Sequence, residues 1–76
     1  MFKGVSEMPA TAKNEQYTFE ASNGMGISEW FRNSLDAQIF ACEQSEKLVC
    51  KFMVYDYSWQ NGEIATHMYN YGRPVK

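Results

Sequence analysis

This 76-residue chain is poor in the features that announce a function. It holds two cysteines, two prolines and one histidine. Two cysteines are too few for a disulfide framework, and Cys42 and Cys50 lack C-x-x-C spacing. Both thiols are therefore expected free, in a reducing cytoplasm. No stretch approaches the roughly 20 apolar residues of a membrane span. Met1-Phe2-Lys3-Gly4-Val5-Ser6 is not the start of a signal peptide, because no apolar run follows the charge. There is also no excess of one charge. Seven basic against nine acidic residues leave −2, which argues against a basic nucleic-acid binder and is too weak for a DNA mimic.

Catalytic and cofactor motifs are missing too. Asn23-Gly24-Met25-Gly26 is glycine-rich, yet it matches neither a phosphate loop nor a dinucleotide fingerprint. No G-x-S-x-G or H-E-x-x-H occurs. One histidine and two separated cysteines do not supply the three or four ligands that zinc needs. No cofactor, metal or catalytic residue is expected. His67 opposite Asp56 is the nearest approach to an oriented general base, but with no nucleophile nearby such a pair is more often a cross-strand polar contact.

Aromatic residues, in contrast, are abundant at 16%. A chain this short buries only roughly 60–65% of the surface of its unfolded form. Some of its rings must then face solvent or a partner.

The length allows one domain. Residues 1–14 show no period and read as an extended or mobile arm, leaving residues 15–76 as the folded domain. Gln16–Ser22 alternates, with Tyr17, Phe19 and Ala21 on one face, the pattern of a half-buried strand. Asn23-Gly24 suits a two-residue type I′ turn. The return strand, Met25 to about Arg32, would pair Tyr17 with Trp30 and Glu20 with Ile27. A helix opening at Ser28 is the alternative for this stretch. Ser34 to Gln44 reads as a helix, with Ser34 as its cap and Asp36 at the positive end of its dipole. Leu35, Ile39 and Cys42 form its expected core stripe, and Phe40 points elsewhere.

Lys47 to Trp59 is the strongest strand pattern, with Leu48, Cys50, Phe52 and Val54 on the core face. Asn61-Gly62 signals a second hairpin, pairing Trp59 with Ile64, Tyr57 with Thr66, Asp56 with His67, Tyr55 with Met68 and Val54 with Tyr69. Gly72-Arg73-Pro74 ends the return strand. The expected fold is α+β, a ββαββ chain whose four-stranded antiparallel sheet carries one helix on one face.

The other face is left open. Lys51, Met53, Tyr55, Tyr57, Trp59, Ile64 and Met68 would share it, a contiguous patch of the kind that marks an interface. Phe40 is a second candidate anchor. The arm 1–14, a partner protein, a second copy of the chain (a homodimer) or a small ligand could each cover this face. Aromatic rings beside Lys47 and Lys51 also admit single-stranded nucleic acid, against the acidic balance of the chain.

The order hairpin, helix from Ser34-Leu35-Asp36-Ala37, hairpin resembles small phage-encoded inhibitors of bacterial machinery. Among these are some anti-CRISPR proteins and a small phage inhibitor of RNA polymerase. The resemblance covers about residues 16–71 in pattern only and carries over no functional residue. It implies a non-enzymatic inhibitor or adaptor in the host cytoplasm, one that occupies a surface of a larger bacterial protein or ribonucleoprotein complex without entering a membrane. The alternative is a small-ligand or single-stranded nucleic-acid binding module that uses the aromatic sheet face.

Overall fold

The computed structural model describes residues 13, 15–58, 62 and 64–75. The arm expected over residues 1–14, apart from Lys13, lies outside the described residues, as does Trp59. The chain runs β1 (Phe19–Ser22), β2 (Ser28–Phe31), α1 (Ser34–Lys47), β3 (Lys51–Asp56), β4 (Ala65–Asn70) and β5 (Arg73–Pro74). The strands form one antiparallel sheet in the order β2-β1-β3-β4-β5, with α1 packed against it. Among the described residues the fold is α+β with a single helix, and the sheet has five strands where four were expected.

The extra strand comes from a tight turn at Tyr71-Gly72. Both residues have positive φ (56° and 82°), as a type I′ turn requires. Arg73 then pairs with Asn70 and Pro74 with Tyr69. Proline does not end the sheet here, because an edge strand needs no amide donor on its outer side. Gly72 is held from beneath by α1. Its N–H donates to Ser45 Oγ at 2.8 Å, and its carbonyl accepts from Cys42 Sγ at 3.2 Å. A Cβ on Gly72 would lie 2.8 Å from Glu46 Cβ, too close to fit without movement.

The first hairpin forms as a strand pair, so the helical alternative for residues 25–32 does not occur. Its register differs from the expected one. Glu20 pairs with Trp30, and Phe19 with Phe31. The connection is not two residues long but five, residues 23–27. Asn23 organises it, accepting from the N–H groups of Met25 (2.8 Å) and Ile27 (3.0 Å) through Oδ1. Its own N–H donates to the Ile27 carbonyl at 3.1 Å. Side chains alternate across a strand, so an odd shift exchanges its faces. Phe31 becomes buried, and Trp30 moves to the side away from the helix.

Asn33, not Ser34, caps α1. Its Oδ1 accepts from the Asp36 N–H at 2.8 Å, and its amide donates to the Asp36 carboxylate at 3.3 Å. The helix is also turned by about a third of a revolution from the expected phase, at roughly 100° per residue. Ala37, Ala41 and Ser45 are buried, while Leu35 is 63% exposed and Ile39 and Cys42 are half-buried. The sheet face beneath α1 already carries Phe31, Phe52 and Tyr69, so small residues on the helix allow the layers to close. Phe40 fills the remaining gap, its ring centroid 5.3 Å from that of Phe31 and 6.1 Å from that of Phe52.

The helix runs through Lys47, and β3 begins only at Lys51. Leu48 is the C-cap, its N–H donating to the Gln44 carbonyl at 2.9 Å. Leu48 is therefore largely exposed, and the expected core face of Leu48, Cys50, Phe52 and Val54 narrows to Phe52 and Val54, with Cys50 partly buried. The β3–β4 register is two residues away from expectation. Phe52 pairs with Tyr69, Met53 with Met68 and Val54 with His67. An even shift keeps the faces. An irregularity after Val54 then brings Tyr55 opposite Ala65. Asp56 lies opposite Phe19, so the expected Asp56–His67 pair does not form.

Two predictions separate this packing from the alternatives. Phe52, with no exposed surface, should lose about 3–5 kcal/mol of stability on replacement by Ala, whereas Leu35→Ala should change it by no more than about 0.5 kcal/mol. Urea denaturation of the two variants measures both, and a large loss for Leu35→Ala would restore the expected helix phase. Val49 is a β-branched residue with φ 54° and 68% exposure. Left-handed backbone at such a residue costs roughly 1–2 kcal/mol, so Val49→Gly should raise the denaturation midpoint, where an ordinary exposed Val→Gly change lowers it.

Candidate functional site: the open sheet face

The face opposite α1 is defined by the registers. Directly opposed residues share a face, and so do residues two apart along a strand. One row across the sheet is Trp30, Glu20, Tyr55 and Ala65. The next is Ser28, Ser22, Met53 and Met68. A third is Lys51, Asn70 and Arg73. Tyr57 extends the aromatic end beyond Tyr55, its N–H donating to the Thr18 carbonyl at 2.8 Å.

The rings are fixed by specific contacts. Trp30 and Tyr57 meet with centroids 4.9 Å apart and planes tilted by 51°, an arrangement favoured by ring quadrupoles. The Tyr57 hydroxyl donates to Glu20 Oε1 at 3.2 Å, and Ser28 Oγ donates to the other carboxylate oxygen. Tyr55 points its hydroxyl at Met53 Sδ, 3.5 Å away. Gly62 is buried against the Tyr57 ring, where a Cβ would come within 2.2 Å of Cζ. That contact requires glycine and covers part of the ring.

Of the residues expected on this face, the structure brings together Lys51, Met53, Tyr55, Tyr57 and Met68. Lys51 is exposed and the other four are half-buried. Ile64 is 72% exposed in the β3–β4 connection, just before β4. Trp59 lies outside the described residues. Phe40 is not on this face: it packs into the core from the helix, which removes it as a surface anchor. Trp30 and Glu20 are additions that sequence reasoning missed. The five-residue connection places them here, and the second glycine, Gly26, is its visible signal: an Asn-Gly turn of two residues needs only one.

No alternative chemistry is assembled elsewhere among the described residues. His67 is exposed, its Nδ1 3.1 Å from Thr66 Oγ1. Asp56 Oδ1 accepts from the N–H and hydroxyl of Ser58. No group of three or more His, Cys, Asp or Glu side chains converges there to hold a metal. Cys42 and Cys50 are free thiols. No helix among these residues is long and apolar enough to cross a membrane.

Burial and the neighbouring Glu20 raise the Tyr57 phenol above its usual range, and burial, with Cys42 nearby, does the same for Tyr69. A phenol whose folded pKa is raised holds its proton more firmly folded than unfolded. Its contribution is fully present below the ordinary value of about 10 and is lost as pH rises through the raised one. Stability should therefore fall above about pH 10. In an ultraviolet tyrosinate titration, Glu20→Gln should move one ionisation to lower pH, and an unchanged curve would show that Glu20 does not act on Tyr57.

Comparison with protein-family models, with curated proteins and with solved structures finds no match for this chain, so the chemistry of this face stands on the residues themselves.

Proposed function

We propose that the chain is a small non-enzymatic protein-binding inhibitor or adaptor, and that the open sheet face is its docking surface. The observation that carries this reading is the ordered aromatic and methionine patch on the side of the sheet that α1 does not cover. Trp30, Tyr55 and Tyr57 are held by partners on the face, so little conformational freedom remains to be lost on binding. Met53 and Met68, directly opposed, are adaptable and polarizable, which suits a contact surface. Rings of this kind concentrate interface energy.

The hairpin–helix–hairpin order of the sequence resembles that of small phage inhibitors of bacterial machinery, and that resemblance favours the same mode of action, in which a surface of a larger bacterial protein or ribonucleoprotein complex is occupied and no substrate is turned over. The two free thiols support a reducing host cytoplasm as the place of action.

The test is capture from bacterial lysate with the wild-type chain and with single-ring variants, identified by mass spectrometry. Tyr55→Ala or Trp30→Ala should each weaken capture of the same partner, by about 2 kcal/mol or more for a ring at the centre of the contact. Thermal stability should remain close to that of the wild type. Tyr57→Ala is a poorer probe, because Gly62 packs on its ring. Retention of the partner by both variants would place the docking surface elsewhere on the molecule.

A further inference from the structure

The open face is chemically polarised. Trp30, Tyr55 and Tyr57 stand at one end and Met53 and Met68 in the middle. The Lys51–Asn70–Arg73 row forms the other end, one residue from each of β3, β4 and β5. Neighbouring strands are roughly 5 Å apart, so the two cationic residues stand about 10 Å apart across the asparagine. Lys51 and Arg73 are both exposed, and neither makes an ion pair among the described residues. The acidic side chain that this face carries among those residues is Glu20. Both of its oxygens already accept hydrogen bonds, from Tyr57 and Ser28. Among the described residues the cationic end thus lacks an internal counterpart, on a chain whose net charge is −2.

Resting on the reading of this face as a docking surface, we propose that its occupant is an acidic protein segment. Its carboxylates meet the Lys51–Asn70–Arg73 row while its apolar side chains cover Met53, Met68 and Tyr55. Charge complementarity of this kind sets the orientation of a partner and speeds its approach. Lysine and arginine separated by an amide also offer several donors and no acceptor except the amide oxygen, which matches one or two carboxylates. Single-stranded nucleic acid fits less well. Stacking needs free ring faces, whereas Tyr57 is covered by Gly62 and tilted against Trp30. The methionine row also separates the cations from the rings.

The experiment is selection of short peptides from an unbiased random library against the full chain. Synthetic copies of the enriched peptides are then titrated while backbone and methionine-methyl resonances are followed. Oligothymidine is titrated in parallel. The expected peptides are acidic and apolar, shift Lys51, Met53, Tyr55 and Met68, and bind more weakly as salt is raised. A Lys51→Glu/Arg73→Glu double variant should lose about tenfold in affinity for them and should select basic peptides instead. The milder Lys51→Gln/Arg73→Gln pair covers the case in which charge reversal disturbs folding. Peptides that shift this face with no acidic bias, and bind the double variants as well as the wild type, overturn the acidic partner and leave the docking face standing. Peptides that shift residues elsewhere, or no enrichment at all, overturn both. Oligothymidine that shifts the same residues more tightly than any selected peptide makes the occupant a nucleic acid and overturns the proposal.

Discussion

Everything in this domain depends on how closely one helix can approach one sheet. Ala37, Ala41 and Ser45 lie on successive turns of α1 and are fully buried, as is Ala21 on the sheet. Side chains this small let the two layers close, and the rings of Phe31, Phe40 and Phe52 fill the flanks. The volume enclosed is modest, and one 14-residue helix is enough to cover it. Had the helix presented Leu35 and Ile39 inward, the layers would have stood further apart over rings that already occupy the space. Ser45 adds a polar tie: its hydroxyl donates to the Cys42 carbonyl and accepts from the Gly72 N–H. The end of the helix and the last turn of the sheet are thus secured at one point.

With the apolar content of the helix side supplied mainly by phenylalanine, alanine, Val54 and Tyr69, Trp30, Tyr55, Tyr57, Met53 and Met68 are left for the other side. They do not lie there loosely. Glu20 gathers Tyr57 and Ser28, Trp30 leans on Tyr57, and Tyr55 reaches toward Met53. A surface whose rings are held by polar partners keeps its shape in water. The face that α1 leaves uncovered is as specifically built as the one it covers.

Element types were legible because they rest on local signals. The alternation of Gln16–Ser22, the strand pattern read over Lys47–Trp59 and the helix start read at Ser34 each identify an element without knowledge of its neighbours, although the strand begins only at Lys51 and the cap is Asn33. Register and helix phase were not legible, because they are decided between elements. Asn23-Gly24 indicates a turn, but Asn23 also accepts from the Ile27 N–H, and that longer connection decides whether Trp30 or Phe31 faces the core. In the second hairpin the error was even, so Met53, Tyr55 and Met68 remained on the face expected of them. In the first it was odd, so Trp30 was missed. Phe40 and Leu35 exchanged roles for a related reason. Hydrophobicity alone ranks leucine and isoleucine as core residues, whereas here the space beneath the helix selected alanine. Tyr71-Gly72 is a turn that composition understates, since tyrosine seldom adopts a positive φ.

The two edges of the sheet are unequal, and this limits how the molecule can grow. One edge is β5, two residues long, with Pro74 at its end. A proline has no amide hydrogen, and so short an edge offers few groups to an incoming strand. The opposite edge, β2, has four residues and no proline. Among the described residues, β2 is therefore the edge that offers more backbone groups to an added strand. That side carries Trp30 and lies across the sheet from Arg73 on β5, so the molecule has a direction as well as a face.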